Sequence, residues 1–439
     1  MILVLLYSIF IRLYFIAVQL ASSWNSKAKE WISGRKNLFE ELKQKIKSTD
    51  KIVWIHCASA GEFEQGKPVI EKLKQTHPHH KILVSFFSPS GFKSAKKYPY
   101  ADIITYLPLD TKQNARRFIE ITKPELVVFV KYEYWYHHLS EVTFHHIPLI
   151  MVSAIFSKNQ LFFKWYGKFY KQMLFLFRHI FVQDDNSFEL LKSNNIQHCS
   201  ISGDTRFDRV KKIAGQFSEI PFIKEFVDDK NVIVAGSTWP DDEKVLAGYV
   251  KTSNLKIIIA PHEIKQDHIL QIQKSFPGCL RYSEVKNLLS ENSSAQTFWN
   301  AINEQQRAAI EKKLIKAKTL IIDNVGMLSK LYYYATVSYV GGGFKKSGIH
   351  NTLEAAVYGK PVLFGPNYKK FKEARDLIEA EGAFTICSFE SLKIKMDHLL
   401  NDPEQLVKAG ESSKNYVENK LGATDKILQF IQENRLLTN

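Results

Sequence analysis

The residues best suited to chemistry lie in a glycine-rich segment, residues 338–359, which reads SYVGGGFKKSGIHNTLEAAVYG. An apolar run ending in three glycines, then a polar loop and a helical pattern from Asn351, predict a strand, a turn and a helix. Glycines let a backbone approach a ligand closely, and a helix N-terminus offers free N–H groups to a phosphate. We interpret the segment as a phosphate site, with Glu354 accepting hydrogen bonds from ribose hydroxyls. The alternative is an ordinary strand–turn–helix connection capped by Asn351.

A second segment, residues 54–67, reads WIHCASAGEFEQGK and could hold a general base. A strand is predicted to end at Cys57, and Glu62 follows a turn of small residues. A carboxylate held at such a turn could take a proton from an acceptor hydroxyl. The alternative is structural: Ser59 caps a helix, and the charge of Glu62 favours the helix dipole.

Three more segments carry polar residues: SGDTRFD (202–208), and AGSTWPDD (235–242) and VKYEYW (130–135), each of which begins at a predicted strand end. Arg206, in the first of them, could stabilise a departing phosphate, or it could be an exposed surface arginine. The second places small residues before a helix that is capped near Thr238. The third puts Glu133 directly after an apolar strand.

The histidines do not indicate a metal site. His262, Glu263 and His268 form HExxxxH, which has the wrong spacing for the zinc motif HExxH. The other histidine pairs are adjacent in sequence, and neighbouring residues do not share a face of a helix or strand. We therefore expect no bound metal.

Short apolar strands that alternate with helical patterns must position these residues. Such alternation predicts βαβ units on parallel sheets, which place ligands at the carboxyl ends of their strands. A mixed polar stretch at 215–230 separates two α/β halves of Rossmann-like size. Strands are predicted at 52–57, 82–87, 103–107, 126–130, 148–153 and 180–183, and then at 232–235, 256–260, 319–322, 337–340 and 361–364.

Composition limits the possible partners. The 439 residues are 45% hydrophobic, which suffices for sizeable cores, and the formal net charge is +15. Such a charge attracts nucleic acid, an acidic membrane surface or a phosphorylated substrate, although a solvated lysine-rich surface would also explain it. The four cysteines are scattered without a CxxC pair, which favours reduced thiols in a cytosolic domain over zinc or disulfides.

The first twenty residues, MILVLLYSIFIRLYFIAVQL, are almost entirely apolar and long enough to cross a bilayer. They are interpreted first as a single membrane anchor. The alternatives are a helix in the membrane interface with Arg12 reaching outward, and a cleaved signal peptide, which the missing basic residues before the apolar run disfavour. Basic residues follow the segment, which by the positive-inside rule places the rest of the chain in the cytoplasm. They are Lys27, Lys29, Arg35 and Lys36.

These segments, in this order, resemble the 3-deoxy-D-manno-octulosonic acid (Kdo) transferases over essentially the whole chain. SAGE (59–62) is similar to that family's S-V-G-E, and SGDTRFD to its G-N/S-L-K-F-D. AGSTWPDDEKVL resembles A-G/T-S-T-H-E-G-E-E. The longest and most specific match is GGGFKKSGIHNTLEAAVYGKPVLFGP, which resembles the family's G-G-S-L-x-x-x-G-G-H-N-x-L-E-x-A-x-x-x-x-P-V-L-x-G-P.

The resemblance implies a GT-B fold, with two Rossmann-like domains facing a central cleft behind a membrane-anchor helix. The expected domains are an anchor at 1–22, an acceptor domain at 23–220 and a CMP-sugar-binding domain at 221–439. The implied reaction is an inverting, metal-independent transfer of Kdo from CMP-Kdo to a lipid A precursor (lipid IVA) in lipopolysaccharide biosynthesis. It would take place at the cytoplasmic face of the inner membrane, without nucleic acid as a partner.

The resemblance also implies roles for individual residues. Glu62 would be the catalytic base, while Arg206 and Lys131 would stabilise the charge on the departing CMP. The residues that match CMP-binding positions are Pro261, His262, Val325, Gly326, Met327, Asn351, Thr352, Leu353 and Glu354. The turn residues that accompany the base and the phosphate are Ser59, Gly61, Gly348 and His350.

The chain departs from the family pattern at three places. The family's P-R-H reads Pro-His-Glu at 261–263, and its M-G-E reads Val-Gly-Met at 325–327. The first glutamate of its M-E-T-E-L-W is Lys131. Two other functions stay open from the residues alone: a different nucleotide-sugar enzyme of this fold, such as a UDP-sugar transferase or epimerase, and a basic membrane-tethered module that binds nucleic acid. Thermal stabilisation by CMP or by UDP distinguishes a Kdo transferase from another nucleotide-sugar enzyme. Salt-dependent affinity for DNA or RNA would identify the nucleic-acid-binding module.

Overall fold

The computed structural model describes residues 2–287 and 304–437, which form two compact units. Unit 1 comprises the residues up to Arg209 and those from Lys420 onward, whereas unit 2 comprises Val210–Asn419. In the described residues each unit contains one seven-stranded sheet, and every strand pairing is parallel. The α/β class expected from the alternating pattern is confirmed.

The sheet of unit 1 has the order β3-β2-β1-β4-β5-β6-β7. Its strands are β1 Ile52–Cys57, β2 Lys81–Phe86, β3 Ile103–Tyr106, β4 Pro124–Val130, β5 Leu149–Ala154, β6 His179–Val182 and β7 Cys199–Ile201. The helices placed around it are α1 Ile2–Ala21, α2 Ser26–Ser33, α3 Leu38–Lys45, α4 Ala60–Thr76, α5 Pro89–Ala95, α6 Lys112–Thr122, α7 Tyr136–Phe144, α8 Lys168–Leu174, α9 Asp185–Lys192 and α10 Thr205–Gly215, the last of which runs into unit 2.

The sheet of unit 2 has the order β10-β11-β9-β8-β12-β13-β14. Its strands are β8 Val232–Thr238, β9 Lys256–Pro261, β10 Leu280–Arg281, β11 Thr319–Ile321, β12 Val337–Val340, β13 Val362–Phe364 and β14 Ala383–Thr385. The helices that follow α10 are α11 Ile223–Val227, α12 Pro240–Thr252, α13 Gln266–Ser275, α14 Tyr282–Asn287, α15 Glu304–Lys316, α16 Leu328–Leu331, α17 Leu353–Ala356, α18 Lys372–Glu379, α19 Phe389–Asn401, α20 Pro403–Glu418 and, back in unit 1, α21 Ala423–Glu433.

The central strands form where the chain carries continuous apolar runs. β1 (IVWIHC) is buried at every position, as expected for a strand that is covered on both faces. All eleven predicted strands are present with ends shifted by at most three residues. The strands that the prediction missed are β7, β10 and β14, at most three residues long, and such short edge strands leave no recognisable apolar run.

The predicted domain boundary at 220/221 differs from the structure, in which unit 2 begins at Val210. The prediction also placed residues 420–439 in the second domain, but α21 packs on unit 1. Asp208 accepts hydrogen bonds from the backbone N–H groups of Gly422 and Thr424, both at 2.7 Å. Ile427 and Ile431 are buried in the same apolar cluster as β1. Apolar burial therefore returns the end of the chain to unit 1.

Helix α1 is the one described helix long and apolar enough to cross a membrane by length and composition, with a mean hydropathy of 2.1. One of its faces packs on unit 1: Ile11 is 2% exposed, and the Tyr7 hydroxyl donates to Asp110 at 2.5 Å. The opposite face is exposed along its length. Its large apolar residues are Ile2, Leu3, Leu5, Leu6, Ile9, Phe10, Leu13, Ile16 and Leu20.

Candidate active site

The predicted base and its neighbours lie at the carboxyl ends of the strands of unit 1. The chain adds β2 and β3 on one side of β1 and then β4 on the other, so the strand order reverses between β1 and β4. Ligands of open α/β sheets bind in the crevice at such a switch point. Glu62 follows β1, and Lys131 follows β4. The fold therefore places both residues at the expected edge.

Glu62 lies in the first turn of α4, which begins at Ala60. Ser59 is the N-cap: its Oγ accepts from the N–H of Gly61 at 3.3 Å, and its hydroxyl donates to the carboxylate of Glu62. The structural interpretation of this turn is therefore correct. It does not exclude catalysis, because Glu62 is only half-buried.

Arg206 lies at the start of α10 and is held by Asp204. Its Nε and Nη2 approach Asp204 Oδ2 at 2.8 and 2.7 Å, and its backbone N–H donates to Asp204 Oδ1 at 2.9 Å. Burial alone would raise the pKa of Asp204, but the charge and hydrogen bonds of Arg206, together with the charge of Lys131, lower it. Arg206 is thus a fixed, partly buried cation and not the freely exposed arginine of the alternative interpretation.

Tyr132, which the sequence did not single out, connects the three predicted catalytic residues. Burial first, and then the charge of Glu62, raise its pKa to about 12, while the charge of Arg206 opposes the shift. The Nζ of Lys131 lies 5.0 Å from the centroid of the Tyr132 ring. The charges of Glu62 and Arg206 therefore both act on Tyr132, whose ring lies beside Lys131. Lys131 itself adopts φ 68°, in the left-handed region.

Changing Asp204 to asparagine is expected to lower kcat about 10- to 100-fold and to leave KM nearly unchanged, because Arg206 loses the charge that orients it. Steady-state kinetics check this result. Glu71→Gln is the matched control, since Glu71 pairs with Arg209 one turn further along α10 at 2.8 Å. A control with the same loss of kcat would show that general destabilisation, and not the orientation of Arg206, explains the effect.

Glu133 is a second carboxylate in this region, and a buried chain of hydrogen bonds orients it. Trp54 Nε1 donates to Ser85 Oγ at 2.7 Å, and Ser85 Oγ lies 2.8 Å from His56 Nδ1. His56 Nε2 then lies 3.0 Å from Glu133 Oε2, to which Trp135 also donates. The sequence placed Glu133 after a strand, but nothing in the sequence predicted the fully buried histidine behind it.

Glu133 opens onto a cavity of about 600 Å³ with mostly apolar walls. A cavity of this size accommodates a drug-sized ligand. The other lining residues are Tyr132, Tyr134, Trp135, Asn159, Gln160, Leu161, Phe162 and Tyr170. Tyr132, on which the charge of Glu62 acts, therefore forms part of the cavity wall.

In unit 2 the predicted donor residues lie at the carboxyl ends of neighbouring strands. β9 ends at Pro261 and His262 follows it, residues 325–327 follow β11, and the glycine-rich loop follows β12. The strand order reverses between β8 and β12, so the glycine-rich loop lies at the switch point of this sheet.

The first and third glycines of the loop are required by close packing. A Cβ on Gly341 would lie 2.3 Å from the carbonyl oxygen of Ser237, and one on Gly343 would lie 2.5 Å from the backbone of Gly365. The N–H of Gly342 donates to the buried Asp242 at 2.9 Å, so this donor is used inside the unit. The loop is therefore rigid, but its middle N–H group is not offered to a phosphate.

The helix after the loop is shorter than predicted: α17 comprises only Leu353–Ala356. Asn351 caps it, since its Oδ1 accepts from the N–H of Leu353 at 3.1 Å and its Nδ2 donates to Glu354 Oε1 at 3.1 Å. One short turn has a weak dipole, so the phosphate argument from a helix N-terminus loses force here. Thr352 is a different indication of a ligand site, because its buried hydroxyl has no hydrogen-bond partner among the described residues.

Glu354 faces partly into unit 2. It lines a small void, with no room for water, together with Val357 and Tyr358. Burial, followed by the charge of Glu354, raises the pKa of the Tyr358 hydroxyl to about 12. The carboxylate is thus anchored on one side, and its ribose contact stays a prediction.

His262, which stands where the family has arginine, belongs to a stack of rings. Its ring centroid lies 4.8 Å from that of Trp239 and 4.3 Å from that of His350, and Trp239 Nε1 donates to His350 Nε2 at 3.2 Å. The Nζ of Lys345 lies 3.1 Å from the centre of the Trp239 ring. His262 itself is exposed, so the stack presents an aromatic face and a cation beside the glycine-rich loop.

The stack should make stability depend on pH. Burial, and then the neighbouring His262 and Lys345, lower the pKa of His350 from 6.5 to about 4. Folding therefore favours neutral His350, and its contribution to stability is complete above pH 6.5 and is lost as the pH falls toward 4. In His350→Gln, whose amide oxygen can still accept from Trp239, the melting temperature should fall less between pH 7 and 5 than in the wild type. Parallel melting curves would contradict this assignment.

The remaining donor candidates lie on the open loop after β11. Val325 is 81% exposed, Gly326 has φ 93°, and Met327 accepts through its sulfur from Asn324 Nδ2 at 3.0 Å. Gly348 lies instead in the glycine-rich loop after β12; it has φ 85°, and a Cβ there would lie 2.5 Å from the ring of Phe371. Across residues 2–287 and 304–437, no group of three or more His, Cys, Asp or Glu side chains could hold a metal ion.

Comparison with known proteins points to one family. Residues 34–209 match the family model described as 3-Deoxy-D-manno-octulosonic-acid transferase (kdotransferase). A 3-deoxy-D-manno-octulosonic acid transferase of Rickettsia felis is 28% identical over 386 residues, which cover 87% of this chain and 78% of the relative. The corresponding protein of Aquifex aeolicus is 27% identical over 401 residues, 89% of this chain and 96% of the relative.

Solved structures support the fold class. UDP-GlcNAc 2-epimerase from Neisseria meningitidis matches with a TM-score of 0.56 and 13% identity, covering 87% of this chain and all of that one. MurG of Acinetobacter baumannii matches with a TM-score of 0.51 and 12% identity, covering 87% and 99%. Identities this low show the fold alone, which is the GT-B fold expected from the sequence.

Proposed function

Because the chain belongs to the 3-deoxy-D-manno-octulosonic acid (Kdo) transferase family, we propose that it transfers Kdo from CMP-Kdo to a lipid A precursor such as lipid IVA. The family match in unit 1 and the similarity of the whole chain to curated Kdo transferases support this glycosyltransferase activity. The single observation that carries the mechanism is that the charges of Glu62 and Arg206 both act on Tyr132, beside Lys131, at the carboxyl edge of the first sheet.

In the proposed reaction, Glu62 takes the proton from a sugar hydroxyl of the acceptor. The resulting oxygen nucleophile attacks the anomeric carbon of Kdo, the bond from that carbon to the CMP phosphate breaks, and the configuration inverts. Arg206, oriented by Asp204, and Lys131 stabilise the negative charge that develops on CMP. Proton transfer of this kind contributes about 10²–10⁴-fold to the rate.

Unit 2 binds the donor in this proposal. The glycine-rich loop and residues 351–354 hold the nucleotide, with Glu354 on the ribose and the buried hydroxyl of Thr352 as an additional donor. Lys345 and the exposed ring of His262 offer a cation and an aromatic face. Transfer requires no metal in this mechanism, since arginine and lysine neutralise the leaving group.

Helix α1 holds the protein at the cytoplasmic face of the inner membrane. Of the interpretations that the sequence left open, the interfacial helix fits best, because hydrogen bonds between Tyr7 and Asp110 and between Ser8 and His137 join α1 to a folded unit. Those polar groups would have to enter hydrocarbon if α1 crossed the bilayer. The exposed apolar face of α1 and the 94% exposed Trp165 suit the interfacial region.

The decisive experiment is incubation with CMP-Kdo and lipid IVA, with products identified by mass. Addition of one or more Kdo residues is expected, and the masses also give their number. The competing nucleotide-sugar function is tested with the same protein: CMP should raise the melting temperature and UDP should not. Stabilisation by UDP alone, with no Kdo product, would show that the donor is a UDP-sugar and not CMP-Kdo.

A further inference from the structure

Unit 1 contains a second cavity, separate from the one at Glu133, which lies where α1 packs on the first turns of α6. Its volume is about 560 Å³. Two pairs of residues spaced four apart face it, one from each helix, and such pairs share a helix face. The lining residues are Ser8, Arg12, Thr111, Lys112, Gln113, Arg116 and His137.

Three basic side chains line the cavity. Arg12, the only charged residue in α1, enters it beside Lys112 and Arg116. Arg116 pairs with Glu120 at 2.8 Å, but neither Arg12 nor Lys112 has an ion-pair partner among the described residues. An arginine costs free energy in an apolar helix, and like charges repel one another. An anion would relieve both penalties.

The neighbouring acidic groups form no ion pair with Arg12 or Lys112 among the described residues, whereas Arg116 is paired with Glu120 and is also affected by the charge of Glu141. Asp110 is 1% exposed and is occupied by Tyr7, His138 and the backbone N–H of His137. Glu141 accepts from His145 at 3.3 Å. His137 contributes a neutral wall at pH 7, because burial is the largest of the effects that lower its pKa.

The surroundings indicate that the anion belongs to a lipid. Arg12 is flanked in sequence by Leu13, which is 59% exposed, and Phe10 and Ile9 on the same outer face are 62% and 44% exposed. Acyl chains could lie on that face while a headgroup fills the cavity beside it. Arginine suits phosphate particularly well, because its guanidinium can donate two parallel hydrogen bonds.

We propose that the Arg12–Lys112–Arg116 cavity binds the phosphate of an anionic membrane phospholipid and thereby fixes α1 flat on the bilayer. This site is distinct from the donor and acceptor sites and does not depend on the transferase assignment. It also explains a single arginine in the middle of an otherwise uncharged helix.

The test measures binding to full-length protein in an uncharged detergent, with soluble dihexanoyl phosphatidylglycerol as one probe and inorganic phosphate as the other. Saturable 1:1 binding of the lipid is expected, and weaker binding of phosphate. Arg12→Gln and Lys112→Gln should each weaken lipid binding about fivefold, and the double variant about 30-fold, as expected for basic side chains at an anionic lipid surface. Arg12→Lys, which keeps the charge but loses the two parallel donors, should weaken lipid binding less than Arg12→Gln does.

Two controls carry the same change of charge. Arg117→Gln alters the neighbouring position of α6, where the arginine pairs with Glu40 at 2.8 Å, and Lys251→Gln alters unit 2. Both should bind the lipid like the wild type. Equal binding by the double variant and the wild type would overturn the proposal. Inorganic phosphate binding as tightly as the lipid would overturn the lipid as its ligand.

Discussion

Glu62→Gln is expected to lower kcat by at least about 10²-fold while leaving the affinity for CMP unchanged. The amide keeps the size of the side chain but cannot accept the proton of the acceptor hydroxyl, and general-base catalysis is worth about 10²–10⁴-fold. Single-turnover transfer from CMP-Kdo measures the chemical step, and the thermal shift caused by CMP measures donor binding.

The matched control for this variant lies on the same helix. Glu64→Gln removes a carboxylate two residues further along α4, where Glu64 pairs with Lys67. Because this ion pair is partly exposed, the variant should keep a transfer rate within about twofold of the wild type. Near-normal turnover in Glu62→Gln would show that the carboxylate only stabilises the first turn of α4. Its hydrogen bond from Ser59 is consistent with that lesser role.

Glu354→Ala is expected to have the second-largest effect, by removing the donor site. If this carboxylate accepts the ribose hydroxyls, the KM for CMP-Kdo should rise at least about tenfold, since a charged hydrogen bond is worth about 1.5–3 kcal/mol. At a CMP concentration of 100 times its Kd, the wild type should gain about 2.7 kcal/mol of stability, and the variant should lose most of that gain.

Glu354 also has structural neighbours, so the variant needs a readout other than activity. It lines a void with Val357 and Tyr358, and its loss could lower the stability of the ligand-free protein. Glu354→Gln keeps the volume and should separate the two roles. The exposed Glu379→Ala in α18 serves as the surface control. A full thermal shift by CMP in both Glu354 variants would exclude Glu354 from the donor site.

The strands and the segments that carry the site could be predicted, because both depend on local sequence. Continuous apolar runs predicted the long strands, and the residues that follow such strands lie at the ligand-binding edge of any parallel sheet. Glu62 follows such a strand, so its position at that edge is a local property of the sequence. The short strands β7, β10 and β14 were missed, since pairing with neighbours, and not local pattern, makes them strands.

The partners of the predicted residues could not be read from the sequence. Tyr132 and Asp204 bring Glu62 and Arg206 into one electrostatic cluster, although they come from different strand ends. His56 supports Glu133 from a distance of 77 residues along the chain. A hydrogen bond across such a separation depends on the sheet order, which periodicity does not determine.

The glycine-rich segment, the base-bearing turn and the apolar N-terminus were thus determined by the sequence alone, because glycine geometry, strand ends and hydropathy are local properties. The tertiary structure decided how those parts are used. It shortened the helix after the glycines to one turn, returned α21 to unit 1, and packed one face of α1 on the rest of unit 1 so that Arg12 and Lys112 line the same cavity. These outcomes depend on which apolar surfaces and charges meet in space, and only the folded chain brings them together.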